Sequence, residues 1–173
     1  MRRINLTYII VFCIFLGPSL AIAGDFYVIT GNRLITSWDK IIPGASRFKL
    51  VLNGEAVLDK ETGLVWAKNA NLSEGTKDWM DAIWYCRDLT LGNRKGWRLP
   101  TVAELSSLVD PTQTFPSLPA DHPFINTRSQ QYWSSTSVEA DSDYAWYVWM
   151  DIGRVQPQFK TSQYYIWPVR GGP

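Results

Sequence analysis

The chain has 173 residues, with 17 basic and 16 acidic side chains, a single histidine and a formal net charge of +1. That balance leaves no basic face for nucleic acid, and the length suits one domain with a sizeable core plus a short leading segment. Nine Trp, eight Tyr and seven Phe make the sequence aromatic-rich, as in a well-filled core or a surface built for recognition.

The first residues set the expected compartment. Arg2 and Arg3 precede an apolar stretch from Tyr8 to Leu16, Gly17 and Pro18 break it, and Ala21-Ile22-Ala23 puts small residues where a signal peptidase reads. Residues 1–23 are therefore expected to be a signal peptide cleaved between Ala23 and Gly24, leaving the mature chain secreted, periplasmic or at the cell surface. The apolar run is shorter than the ~20 residues that cross a bilayer, and no later stretch replaces it. Because the leader carries Arg2 and Arg3 and no acid, its removal takes the formal charge from +1 to −1. Cys13 goes with the leader and lacks the setting of a lipoprotein cysteine. Cys86 is then left without an intrachain partner, and its place in Trp84-Tyr85-Cys86 reads as a buried, inert thiol.

Residues 24–46 scatter Phe26, Val28, Leu34 and Ile35 among Gly31, Pro43 and Gly44 without a sustained period, and read as an N-terminal arm. The domain proper is expected over 47–173. Phe48 to Leu52 and Ala56 to Asp59 flank Asn53-Gly54, a dipeptide suited to the positive φ of a hairpin turn, although the count to Ala56 also permits a longer loop. Asp59-Lys60-Glu61-Thr62-Gly63 makes a second turn before the strand that begins at Leu64-Val65-Trp66. Asp78 caps an expected helix through Leu89, with Trp79, Ile83, Cys86 and Leu89 on one side. Pro100, Thr101 and Glu104 form the capping-box signature of a second helix, whose apolar face is Val102, Leu105, Leu108 and Val109 and whose end is Asp110-Pro111.

Prolines 111, 116, 119 and 123 make residues 112–130 a turn-rich stretch. A strand is expected from Tyr132-Trp133, then a polar loop from Ser134 to Asp143, and a second strand from Ala145 to Met150. Asp151-Ile152-Gly153 closes a hairpin with Gly153 left-handed, returning along Arg154 to Phe159, and Tyr164 to Val169 forms the last strand. Two helices among short antiparallel strands define an α+β domain.

Thr62-Gly63-Leu64-Val65-Trp66, Gly96-Trp97-Arg98-Leu99-Pro100-Thr101 with Glu104-Leu105, Tyr132-Trp133-Ser134-Ser135-Thr136, Ala145-Trp146-Tyr147-Val148 and Val169-Arg170-Gly171-Gly172 occur in that order. Together they resemble the DUF1566 or Lcl C-terminal domain family, named after a bacterial collagen-like adhesin, over roughly residues 47–172. The resemblance implies a C-type-lectin-like fold, related in architecture to formylglycine-generating enzymes and phage receptor-binding proteins, and a secreted or cell-surface location. Many relatives carry a cysteine near the last strand that could pair with the one at the Cys86 position; here Pro168 stands there. The Trp167-Pro168-Val169-Arg170-Gly171-Gly172 ending resembles a subset that includes variable products of diversity-generating retroelements, in which the closing strands are altered to change the ligand.

Catalytic chemistry finds little support. His122 lies in the turn-rich stretch, and Ser134 and Ser135 have no nucleophile-elbow context; Tyr132 to Thr136 reads instead as the end of a strand whose hydroxyls satisfy backbone groups. The cysteine chemistry of the formylglycine-generating relatives is closed to a chain left with Cys86. No cofactor is expected. Asp141, Asp143 and Asp151 are oxygen donors available to calcium, but the sequence has no EF-hand loop and lacks the Glu-Pro-Asn and Trp-Asn-Asp elements of sugar-binding C-type lectins. Arg98 and Arg170, set among apolar residues, call for structural partners such as Asp81, Asp88 or Glu104.

Strand alternation supplies the candidate site. From Ala145 to Met150 one side carries Trp146, Val148 and Met150 and reads as core. The other carries Tyr147 and Trp149 and, across the hairpin, Arg154, Gln156 and Gln158, with Asp143 and Asp151 at the ends. Aromatic plates among rigidly mounted polar groups suit recognition of a protein or glycan ligand outside the cytoplasm. The readings that compete are a structural domain of a surface fibre or oligomer and a cell-wall hydrolase using His122.

Overall fold

Two antiparallel sheets and a few short helices carry the described chain, giving a mixed α and β architecture. The computed structural model describes Tyr27–Thr30, Arg33–Thr36 and residues 42–171. The expected signal peptide and its cleavage point lie outside the described residues. Within the arm, β1 (Tyr27–Thr30) and β2 (Arg33–Thr36) pair in antiparallel register, where the sequence suggested no regular structure. Four-residue strands are too short to reveal alternation, while the β-branched content of Val28-Ile29-Thr30 and Ile35-Thr36 suits extended backbone.

After a single helical turn, α1 (Gly44–Arg47), the first sheet begins with β3 (Phe48–Val51), β4 (Ala56–Asp59) and β5 (Leu64–Ala67). The β3–β4 register closes at Val51↔Ala56, so the loop is the longer form, Leu52 to Glu55, rather than a two-residue turn on Asn53-Gly54. Leu52, Asn53 and Gly54 all take positive φ there. Gly63 closes the next turn, its N–H donating to the Asp59 carbonyl at 2.8 Å. The Asp59 carboxylate accepts from the Glu61 N–H and the Thr62 hydroxyl and takes Arg47 bidentately at 2.9 and 2.7 Å. Arg47 also donates to the Ser107 carbonyl at 2.7 Å, so one buried guanidinium joins α1, the turn after β4 and the segment after the second capped helix.

The helices α2 (Trp79–Asp88) and α3 (Val102–Ser106) start as the caps require. The Asp78 carboxylate accepts from Asp81 N–H, and Thr101 and Glu104 complete the capping box in both directions. α3 stops well before Asp110, and the chain continues to Val109 in tighter turns in which Leu108 and Val109 donate to the Leu105 and Ser106 carbonyls.

The second sheet has the order β1-β2-β8-β7-β6. Its core is a long hairpin of β6 (Gln131–Val138) and β7 (Asp141–Trp149), followed by β8 (Arg154–Phe159). The stretch from Ser134 to Asp143, expected as a polar loop, is therefore almost all strand, with a register shift after Trp133. Its hydroxyls have strand roles: Ser134 donates to the Trp146 carbonyl at 2.6 Å, Ser135 to the Pro100 carbonyl at 3.2 Å, and Thr136 accepts from the Val102 N–H at 3.0 Å. The last strand is corrected as well. β9 (Val169–Gly171) pairs with β5, whereas Tyr164 to Pro168 is a crossing segment tied by single bridges to Lys77 and Tyr132. Aromatic content made that segment look strand-like; Ile166 and Trp167 instead enter two separate apolar clusters.

Those clusters lie on opposite faces of the β6–β7 hairpin. One face gives Tyr132, Val148 and Met150 to the main core with Val57, Trp66, Leu105, Leu108 and Trp167. The other gives Trp133, Ala145 and Tyr147 to a second core with Ala82 and Cys86 of α2, Leu99 and Ile166. Cys86 is the buried thiol expected from its helix position, and burial pushes its pKa up to about 12.

Candidate recognition face

The face predicted from alternation is assembled by the β7–β8 register, which sets Trp149 opposite Arg154, Tyr147 opposite Gln156 and Ala145 opposite Gln158. Directly opposed residues of an antiparallel pair share a face, so these side chains come together as expected. The correction concerns exposure. Tyr147 is only 5 % exposed because α2 and the crossing segment cover this side of the sheet. Its ring meets Tyr164 at 4.8 Å and Trp133 at 6.4 Å between centroids. Burial foremost, with Tyr164 beside it, raises the Tyr147 phenol above its ordinary pKa. Its hydroxyl donates to Gln156 Oε1 at 2.8 Å and fixes that carboxamide, so Tyr147 holds the face from beneath.

Asp151 is likewise withdrawn, at 7 % exposure. Its carboxylate accepts from the Ile152 N–H at 2.6 Å and its carbonyl from the Phe115 N–H at 2.8 Å, which makes it part of the turn. Gly153 completes that turn in the left-handed region as predicted, with Met150 included in the loop. What reaches solvent is a strip of half-buried Trp149, Arg154, Gln156 and Gln158, with exposed Asp143 near the far end of β7. The Arg154 guanidinium lies 5.2 Å over the Trp149 ring, and the indole N–H donates to the Ser129 carbonyl at 3.4 Å. Stacking and register hold the cation and plate together. Gln158 turns its carbonyl oxygen to the Phe159 N–H at 2.9 Å, and the Asp143 N–H donates to Asp141 at 3.0 Å.

Two further cation–aromatic pairs rim the second core, Lys160 at 4.2 Å over Trp79 and Lys77 at 5.5 Å over Tyr85. No local pattern marks them, since the members of the first pair meet only because the Trp79 N–H donates to the Lys160 carbonyl across the fold.

The aspartates considered for calcium are not brought together. Asp141 opens β7 and Asp151 lies two residues past its end, roughly 30 Å apart at strand rise. Among the described residues no group of three or more His, Cys, Asp or Glu side chains is placed to hold a metal. His122 packs against Phe124 at 5.7 Å, and burial lowers its pKa below the ordinary value. The Ser134 and Ser135 hydroxyls are committed to backbone carbonyls. Arg98 takes Glu104 of the carboxylates considered, bidentately at 2.7 and 2.6 Å.

A family model described as the Lcl C-terminal domain matches residues 55–170. No curated protein matches the chain. The match spans both sheets from β4 onward, including α2, α3 and the β7–β8 hairpin.

Proposed function

The chain belongs to the Lcl C-terminal domain family, and from that premise we propose that it is an exported bacterial binding module with a C-type-lectin-like fold. On this reading it recognises a protein or glycan through the open strip of the β7–β8 hairpin, without a cofactor and without catalysis. The observation that carries the reading is the Trp149–Arg154 pair, a half-buried plate and its stacked cation, followed on the same face by Gln156 under the Tyr147 hydroxyl. Pairing in register with β7, itself packed on both faces, mounts the β8 groups, so ordering them on binding has a small entropic cost.

Glycan and protein arrays probed with the purified chain test the proposal. Arg154→Ala is expected to weaken a hit at least tenfold, about 1.4 kcal/mol, with the melting temperature unchanged because the guanidinium is half-exposed. Trp149→Phe should retain part of the affinity. Binding unaffected by either substitution would remove the hairpin from the site.

A second reading, in which the domain buries this region against copies of itself, draws on Phe159. That ring is 49 % exposed and stacks on Tyr144 at 4.1 Å on the opposite face of the same hairpin. Light scattering on the eluted protein decides it, and a monomer at high concentration counts against self-assembly.

A further inference from the structure

Away from the hairpin, an open-sided cleft of about 530 Å³ runs along the outer side of α2. Asp81, Trp84, Tyr85 and Asp88 line it at positions i, i+3, i+4 and i+7 of the helix, a spacing that puts them in one row. Lys77, Leu89 and Thr90 complete the lining. Ala82 and Cys86 face the opposite way into the second core, so the row is turned outward by the packing of the helix. Trp84 is 50 % exposed, a large indole face left open to water between two carboxylates.

We propose that this cleft is a second binding site, for an uncharged saccharide about two sugar units long. Five of the lining residues match a part of such a ligand. The C–H face of a pyranose stacks on an indole, while its hydroxyls donate to carboxylates and accept from an ammonium or phenol. Asp81 and Asp88 supply acceptors on either side of Trp84, and Lys77 and Tyr85 supply donors. Lys77 is already steadied 5.5 Å over the Tyr85 ring, and Arg87 holds Asp88 through both carboxylate oxygens at 2.8 and 3.2 Å. The volume lies within the ~300–1,000 Å³ usual for small-ligand sites.

The same lining disfavours other occupants. Asp81, Asp88 and Glu74 are matched by Lys77, Arg87 and Lys95 in and beside the cleft, so a polyanion such as nucleic acid or a sulfated glycan meets no excess of positive charge. A purely apolar helix would desolvate the Asp81 carboxylate and the Arg87–Asp88 pair for no polar contact in return. Arg87, first through its hydrogen bonds and then through its charge, holds the Asp88 carboxyl below the ordinary range, which suits an acceptor and not a proton donor for glycoside cleavage.

The site is independent of the hairpin strip, and the test keeps the two apart. The purified chain is titrated by calorimetry with cellobiose, maltose and N,N′-diacetylchitobiose in turn. At least one is expected to bind with a Kd of about 1 mM or tighter. Trp84→Ala should weaken that binding at least tenfold and Asp88→Asn about fivefold, with Arg154→Ala leaving it within about twofold. Both groups in the cleft are exposed, so the melting temperature should not move. Absence of saturation by all three disaccharides overturns the proposal, as does unchanged affinity in Trp84→Ala. Loss in Arg154→Ala alone overturns it too, while supporting the hairpin strip.

Discussion

Gly153 takes φ +73° at the turn into β8, and a Cβ built on it would meet Val109 Cγ1 at 2.3 Å. Gly153→Ala therefore combines a left-handed backbone with overpacking and is expected to cost about 2–4 kcal/mol in urea denaturation. Glu104 carries two roles, closing the capping box and pairing with Arg98. Burial alone would raise its carboxyl, but hydrogen bonds from Arg98 and Thr101 and the Arg98 charge outweigh it and hold the pKa below 4.5. A depressed folded value means stabilisation that is present above the unfolded pKa and lost as pH falls through the folded one. Glu104→Gln should thus cost about 1 kcal/mol at pH 7, and denaturation curves taken down the acid limb should show the gap to the native chain narrowing below pH 4.5.

At the level of elements, the strongest tie is the buried Arg47–Asp59 pair, with exposures of 7 % and 0 %. Asp59→Ala takes from Arg47 its bidentate partner, leaving Glu61 at 3.0 Å and the Ser107 carbonyl, and opens the turn; it is expected to cost about 3 kcal/mol by calorimetry. Local signals wrote this part of the fold legibly. Asp78, Thr101 with Glu104, Gly63 and Gly153 each satisfy backbone groups a few residues away, and each acts as its sequence position implied. Elements whose character depends on distant partners were hidden. The hydroxyls of Ser134, Ser135 and Thr136 bond backbone groups as a strand end implies, but the run of β6 on to Val138 shows only when β7 is laid beside it. Tyr164 to Pro168 looks like a strand, though its residues cross between sheets and feed two cores.

Across the whole molecule, the β6–β7 hairpin is the shared wall of both cores, which explains the partial success of the site reading. Parity along β7 was correct, and Tyr147, Trp149, Arg154, Gln156 and Gln158 do lie on one side. Alternation says which residues share a side but not whether a helix covers it, and α2 covers Tyr147 while leaving the Trp149 end open. The surviving strip runs from Trp149 on that wall to Arg154, Gln156 and Gln158 on the neighbouring β8, where the register holds them and a binding surface loses little on ordering. Hydroxyl-radical footprinting of the chain, free and saturated with a ligand selected on the arrays, reads this claim side chain by side chain. Oxidation of Trp149 should fall severalfold in the complex; a complex that leaves Trp149 as reactive as in the free chain while shielding another surface would contradict the account.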